Sequence, residues 1–319
     1  MITPPSALSK RERVQFTRLA QVCNLCVKII EVTYFATIKM ASYKLASREA
    51  QVTNLRQMGL PGRQMSFIVF WLCLSLCLVA QDKPQVIAHR GYWQTRGSAQ
   101  NSIASLENAG RIKAYGSEFD VRMTKDSVLV IIHDEAVNGI LVEEAPYAAI
   151  QDFVLSNGEK IPVLREYLEA GRHLETTKLI MEIKIGKKDN PAWSREVARR
   201  SVEIVREKKQ QLKTEYITFD LEAAKELIRL APESDVYYLN GDLSPAALKS
   251  LGFAGLDYHY DKMLQNPQWF KEAKALGLGI NVWTVNDLEI MLEMLKNGAD
   301  FITTDIPDDV IRFIDTAYQ

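Results

Sequence analysis

From about residue 85 to the C-terminus, strand-like runs alternate with helix-like runs, and this alternation limits the fold more than any other feature of the chain. The strand-like runs fall at 85–91, 117–123, 128–133, 178–185, 215–219, 235–240, 255–260, 279–285 and 300–304. Helical patterning falls at 102–114, 164–173, 191–209, 221–230, 244–251, 266–276, 286–297 and 307–317. Strands spaced by helices build βαβ units and a parallel sheet. One gap breaks the rule. Only Thr124-Lys125-Asp126-Ser127 separates the second and third strands, and a parallel crossover needs a dozen or more residues. A hairpin is expected there, and a turn centred between Lys125 and Asp126 would set Glu118 opposite His133. Setting the hairpin partner aside leaves eight strands, the number of a (β/α)8 TIM barrel. Residues 85–319 fit the ~250 residues usual for that fold. An open doubly wound sheet is the alternative, but the early Gly-rich phosphate loop of such sheets is missing. Pro232, Pro245, Pro267 and Pro307 sit at helix boundaries, where a residue without an N–H is tolerated.

The first eighty residues read differently. Ser66–Ala80 is the one long apolar run, shorter than the ~20 residues that span a bilayer. Arg56 and Arg63 precede it, and polar Gln81-Asp82-Lys83-Pro84 follow. A basic flank, an apolar centre and a small final residue describe a signal peptide over 65–80, cleaved after Ala80. Residues 1–64 are then an extension outside the fold, and translation is expected to start at Met58 or Met65. The expected location is exported, either periplasmic or secreted. All four cysteines lie before residue 80, so the body has no disulfide. Cys23-x-x-Cys26 lacks the histidine or second pair of a metal site. A net charge of −1 from 39 basic and 40 acidic residues argues against a nucleic-acid partner.

The chemistry concentrates where strands end. Val86-Ile87-Ala88-His89-Arg90-Gly91 runs from apolar into charged residues. Glu118-Phe119-Asp120, Ile131-Ile132-His133-Asp134 and Met181-Glu182-Ile183-Lys184 do the same. A buried strand has no structural use for such groups, and barrel active sites form at carboxyl strand ends. Three carboxylates at one point raise one another's pKa unless neutralised. A hard divalent cation, Ca2+ or Mg2+, would resolve the repulsion at Glu118, Asp120 and Glu182. Two histidines beside a metal-bound phosphate would serve as base and acid. Arg90 would grip phosphate oxygens as a fork and Lys184 as a point charge.

These residues resemble the glycerophosphodiester phosphodiesterase family. The resemblance is carried by His89-Arg90-Gly91, Gln100-Asn101-Ser102, Gly116–Val121, Thr124-x-Asp126, His133-Asp134, Glu182-Ile183-Lys184, Trp283-Thr284-Val285-Asn286 and Thr303-Thr304-Asp305-x-Pro307. They stand in the family's order over nearly all of 85–310. The resemblance implies a barrel and metal-assisted hydrolysis of a glycerophosphodiester to glycerol phosphate and an alcohol. It implies His89 and His133 as the acid–base pair, and Glu118, Asp120 and Glu182 as metal ligands. Arg90 and Lys184 become phosphate contacts, and Trp283 a wall for glycerol or leaving group. Family enzymes are thought to use the neighbouring glycerol hydroxyl as nucleophile, through a cyclic phosphate. Two motifs depart from the family. Gln100 replaces a glutamate, which removes a charge near the metal, and Val137-Asn138-Gly139 replaces Arg-Thr-Thr-Gly after the His-Asp pair, which bears on substrate preference.

Three rival readings are distinguishable. The carboxylates could form an internal salt-bridge network with Arg90, Arg122 and Lys184. A phospholipase-like phosphodiesterase or lyase of the same barrel group would need a large apolar surface at the mouth, for which only 139–155 offers residues. A non-catalytic phosphodiester-binding protein would have no need of two histidines. His259 ends a strand and is as readily structural as pocket-lining. The expected partner is a small-molecule phosphodiester, with no membrane span in the mature chain.

Overall fold

The computed structural model describes residues 83–184, 186 and 190–318. The signal peptide, the extension and the four cysteines lie outside them. Eight parallel strands close into a barrel: β1 (Gln85–Ala88), β2 (Gly116–Met123), β6 (Lys178–Ile183), β7 (Thr214–Thr218), β8 (Val236–Tyr238), β9 (Gly255–His259), β10 (Gly279–Trp283) and β11 (Phe301–Thr304). β1 pairs with β11 on one side and with the start of β2 on the other, which closes the ring. β3 (Leu129–Ile131) adds antiparallel to the far half of β2.

The hairpin is therefore present, but its register differs from the expected one. Val121 pairs with Ile131 and Met123 with Leu129, which centres the turn on Asp126. Thr124 is the reason: its hydroxyl reaches Asp126 Oδ1 at 2.6 Å and accepts from the Val128 N–H at 3.0 Å, which closes a loop one half-step longer. Glu118 and His133 are not opposite each other on the ladder. They meet instead as lining of one pocket.

Side chains alternate across each strand. Phe119, Val121, Leu179, Met181, Ile183, Tyr216, Leu256, Tyr258, Ile280, Val282 and Ile302 face outward into one core shared with the helices. Ile87, Ile180, Ile217, Tyr237 and Leu239 face inward and fill the barrel's centre. The helices are α1 (Ile103–Arg111), α2 (Leu164–Gly171), α3 (Pro191–Glu207), α4 (Leu221–Leu230), α5 (Pro245–Leu251), α6 (Tyr260–Gln265), α7 (Gln268–Ala275), α8 (Leu288–Asn297) and α9 (Pro307–Ala317). α3, α5 and α9 start with proline, and Asp220, Ser244 and Asp287 cap α4, α5 and α8 through their side chains. The short α6 was not expected from sequence. It follows β9 directly, with His259 Nδ1 accepting the Asp261 N–H at 3.2 Å, so His259 acts as a helix cap.

The segment between β3 and α2 is an insert on the barrel. It holds the small hairpin β4 (Ala136–Val137) and β5 (Ile140–Leu141), turning at Asn138-Gly139, and its own core of Val130, Val137, Val142, Ile150 and Ile161. Both turn residues have positive φ, 49° and 79°, as a type I′ turn requires. Glu159 of the insert accepts the Ile103 and Ala104 N–H groups at 2.8 and 3.2 Å. A carboxylate thus sits on the positive end of α1 and pins the insert beside β1.

Candidate active site

The loop after β1 delivers two site residues through a tight turn. Arg90 has φ 55° and Gly91 φ 77°. A Cβ on Gly91 would lie 2.7 Å from the Ser105 carbonyl carbon, so only glycine lets the loop lie against α1. The turn aims the Arg90 N–H at Glu118 Oε2, 2.7 Å away. It leaves the guanidinium between Gln100 Oε1, at 2.8 Å from Nη1, and Asp120 Oδ2, at 3.7 Å from Nε. Gln100 therefore positions Arg90; its amide contacts the arginine rather than the carboxylates.

Glu118 and Asp120 stand two apart on β2, and Glu182 pairs with Asp120 in register on the neighbouring β6. All three are buried, and one oxygen from each lies within 4.8 Å of the others. Lys184 Nζ sits at 2.7 Å from Glu182 Oε1 and 3.2 Å from Asp120 Oδ1. Asn101 grips Asp120 twice: its amide donates to Oδ2 at 2.7 Å, and its carbonyl oxygen accepts the Asp120 N–H at 3.0 Å. Burial pushes the Asp120 carboxyl up, but Lys184, Asn101, His133 and Arg90 outweigh it and hold it below the usual range. Glu118 has less help, only the Arg90 N–H and the charge of Lys184. Burial and the neighbouring Asp120 and Glu182 drive it well above the carboxylate range. Burial, then Asp120, lifts Glu182 to about 7. Glu118 Oε1 has no hydrogen-bond partner among the described residues.

A buried carboxylate oxygen without a donor, in a cluster with one cationic neighbour too few, is what a hard cation with oxygen ligands completes. Glu118, Asp120 and Glu182 fit a divalent ion by donor type and spacing. The salt-bridge reading needs one correction. Arg122 takes no part in this cluster: its Nε donates to the His133 carbonyl at 2.9 Å and its Nη1 lies 3.8 Å from Glu143. It ties the His133 loop to the insert.

The two histidines flank the cluster and are held alike. His89 Nδ1 is 2.8 Å from Asp305 Oδ1, and His133 Nδ1 is 3.0 Å from Asp134 Oδ1. An aspartate on Nδ1 selects the tautomer that presents Nε2 to the pocket. Asp305 is itself fixed, by Asn286 Nδ2 at 2.7 Å and Trp93 Nε1 at 3.3 Å. Burial raises Asp305, but the hydrogen bond and charge of His89, with Asn286 and Trp93, win and keep it ionised. Burial lowers His133 below the ordinary histidine value, only partly offset by Asp134.

His89, Arg90, Glu118, His133, Glu182, Lys184 and Trp283 all line one pocket of about 160 Å³. Its apolar side is Ile217, Phe219, Leu239 and Trp283. The indole donates to the Asp257 carbonyl at 2.8 Å and stands edge-on to Phe219, ring centres 5.6 Å apart. Of the site residues expected from sequence, only Asp120 does not line this cavity; it lies buried beside Glu118 and Glu182. Lys184 lines the pocket while its Nζ is held by Glu182 and Asp120.

Sequence reasoning missed four residues. Asn101, Asn286 and Asp305 belong to the quoted motifs, yet their roles depend on contacts across up to 216 residues of chain. Asp257 gave only one signal, a carboxylate in the middle of an apolar strand. It lines the pocket fully buried, its Oδ1 lacks a partner among the described residues, and burial raises it to about 8. Burial thus favours its protonated, hydrogen-bond-donating form.

The comparisons agree with this geometry. Residues 89–309 match the model of the "Glycerophosphoryl diester phosphodiesterase family". The crystal structure of a glycerophosphodiester phosphodiesterase from Parabacteroides distasonis is 50% identical, with 75% of this chain and all of that one covered and a TM-score of 0.73. A phosphodiesterase from Oleispira antarctica, solved with the product sn-glycerol-3-phosphate, is 28% identical over 73% of this chain and 97% of its own, TM-score 0.62. The glycerophosphodiester phosphodiesterase of Caldanaerobacter subterraneus is 27% identical over 247 residues, 73% of this chain and 98% of that protein. The chain belongs to the glycerophosphoryl diester phosphodiesterase family.

Proposed function

We propose that this enzyme hydrolyses glycerophosphodiesters to glycerol phosphate and an alcohol, with a divalent cation on Glu118, Asp120 and Glu182 and with His89 and His133 as the acid–base pair. The observation that carries this reading is the buried carboxylate cluster with an unpartnered Glu118 oxygen between two histidines whose Nδ1 atoms are both held by aspartates. The cation, Ca2+ or Mg2+, would neutralise the carboxylates and polarise the phosphate. Arg90 and Lys184 add positive charge where phosphate oxygens would lie. One histidine takes a proton from the glycerol hydroxyl that bonds to phosphorus, and the other gives one to the departing alcohol as its P–O bond breaks; with the roles reversed, water then adds to the cyclic phosphate and one ring P–O bond breaks to leave glycerol phosphate. The pocket of about 160 Å³ suits a glycerol phosphate, with Trp283 against its carbons and Asp257 available to a hydroxyl. The product bound in the Oleispira relative supports this assignment.

Export is part of the same reading, supported by the run Ser66–Ala80. An N-terminus at Gln81 in protein isolated from its source would bear it out, and an intact N-terminus would remove it. Among the described residues no helix is long and apolar enough to cross a membrane.

The test follows glycerol phosphate release from several glycerophosphodiesters with Ca2+, with Mg2+ and with a chelator. Release that needs the cation and is lost in His133→Ala is expected. Release unaffected by chelation, or kept by His133→Ala, would overturn the mechanism.

A further inference from the structure

One buried carboxylate of the pocket is not accounted for by the cation. Asp257 lines the cavity, is 1% exposed, and its Oδ1 has no hydrogen-bond partner among the described residues. It stands outside the trio whose oxygens lie within 4.8 Å of one another. The strand order explains why. Around the closed ring β9 lies four strands from β2 in either direction, so Asp257 sits across the barrel from the strand that carries Glu118 and Asp120.

The groups around Asp257 satisfy one another and leave this one oxygen open. Asn281, its register partner on β10, hydrogen-bonds the carboxyl. The same amide donates to Thr303 Oγ1 at 2.8 Å. The Asp257 carbonyl holds the Trp283 indole at 2.8 Å, so the aromatic wall and the open oxygen are tied to one residue. Ile217 of β7 and Leu239 after β8 also line the pocket and bring no polar side chain to it.

The glycerol arm of a diester carries two hydroxyls. In the proposed reaction the hydroxyl next to the ester oxygen bonds to phosphorus, so it stays with the histidines and the cation. The terminal hydroxyl, one carbon further, is the polar group left to meet Asp257. A hydroxyl both donates and accepts, so it satisfies Oδ1 whichever form the carboxyl takes. It also reproduces the hydrogen bonds of a water at that place, which a methyl group cannot do.

We propose that Asp257 is a specificity-determining residue that binds the terminal hydroxyl of the glycerol, so that the pocket selects diesters in which this hydroxyl is free. The proposal rests on the phosphodiesterase reading and adds the group by which the glycerol arm is recognised.

The experiment compares kcat/KM for glycerophosphocholine with that for 2-hydroxypropyl phosphocholine of the same configuration, using the cation-loaded enzyme. The second ester keeps the attacking hydroxyl and the leaving group and lacks only the terminal hydroxyl. The glycerol ester should be favoured about a hundredfold or more, because the analogue leaves a buried carboxyl oxygen unpaired. That ratio is read on the wild type and needs no variant. Asp257→Leu should bring the two esters to within about threefold of each other, mainly by slowing the glycerol ester. Asp257→Asn keeps the size and a hydrogen-bonding group and should hold a preference of about tenfold. Equal cleavage of the two esters by the wild type would overturn the Asp257 assignment alone. So would a folded Asp257→Leu that slows both by the same factor, the mark of a merely structural role. Cleavage of neither ester with any cation would overturn the phosphodiesterase reading and this proposal together.

Discussion

The barrel buries carboxylates at both ends and treats them in opposite ways. At the amino-terminal end Glu215 points inward from β7 and is partnered: Tyr115 Oη donates to it at 2.6 Å, and Lys178 Nζ lies at 3.5 Å. At the carboxyl-terminal end Glu118 Oε1 and Asp257 Oδ1 are equally buried, and neither has a partner among the described residues. Only one apolar layer separates the two ends. On β6, Ile180 belongs to that layer and Glu182, two residues on, to the site, a step of roughly 6–7 Å along a strand. A buried carboxylate that serves stability has its oxygens satisfied. One left open holds free energy that a ligand can recover, and this separates the functional end from the structural one.

The largest effect expected from breaking this contrast is kinetic. Replacing His133 or His89 by alanine should lower kcat by about 10²–10⁴ with little change in thermal stability, since neither ring belongs to the core. Next is Asp305→Asn, which keeps the shape around His89 but removes the charge that orients its ring. A loss of about ten- to a hundredfold in kcat is expected, with KM nearly unchanged. A change in KM alone would mean that Asp305 shapes binding rather than the proton path.

The cation comes third. Glu182, raised to about 7, and Asp257, raised to about 8, are protonated in the folded cation-free protein and ionised when unfolded above about pH 4. Unfolding then releases protons between about pH 4 and 8, so stability is greatest at the low end and drains as pH rises through 7–8. Cation binding should reverse this, most at pH 8 and least near pH 5. At a hundredfold excess over Kd it adds about 2.7 kcal/mol, roughly 5–10 °C in Tm for a domain this size. Melting curves at the two pH values, with and without Mg2+ or Ca2+, check both signs. Smallest is the structural end: Glu215→Gln should cost about 1–3 kcal/mol and leave kcat/KM within twofold.

How much of this was legible in the sequence follows the same division. His89, Glu118, Asp120, Glu182 and Lys184 stood out because each interrupts or ends an apolar run, and an apolar run states its own direction. The helix limits of α4 and α9 were readable as well, since Asp220 and Pro307 mark their starts chemically. Contacts that close over long separations were not readable. Asp305 reaches His89 only because β11 pairs with β1. Arg122 was readable as a salt-bridge partner of the carboxylates, yet its Nε donates to the His133 carbonyl. Half a residue of register, set by the Thr124 hydroxyl, decided whether Glu118 and His133 met across a ladder or across a pocket.

The most direct test of the difference between the two ends is calorimetric titration of Ca2+ or Mg2+ into chelator-treated wild type, Glu118→Gln and Glu215→Gln. Wild type and Glu215→Gln should bind one ion with equal affinity, and Glu118→Gln should bind at least a hundredfold more weakly while melting no lower than the cation-free wild type. Unaltered binding by Glu118→Gln would contradict the assignment of its open oxygen to the metal site.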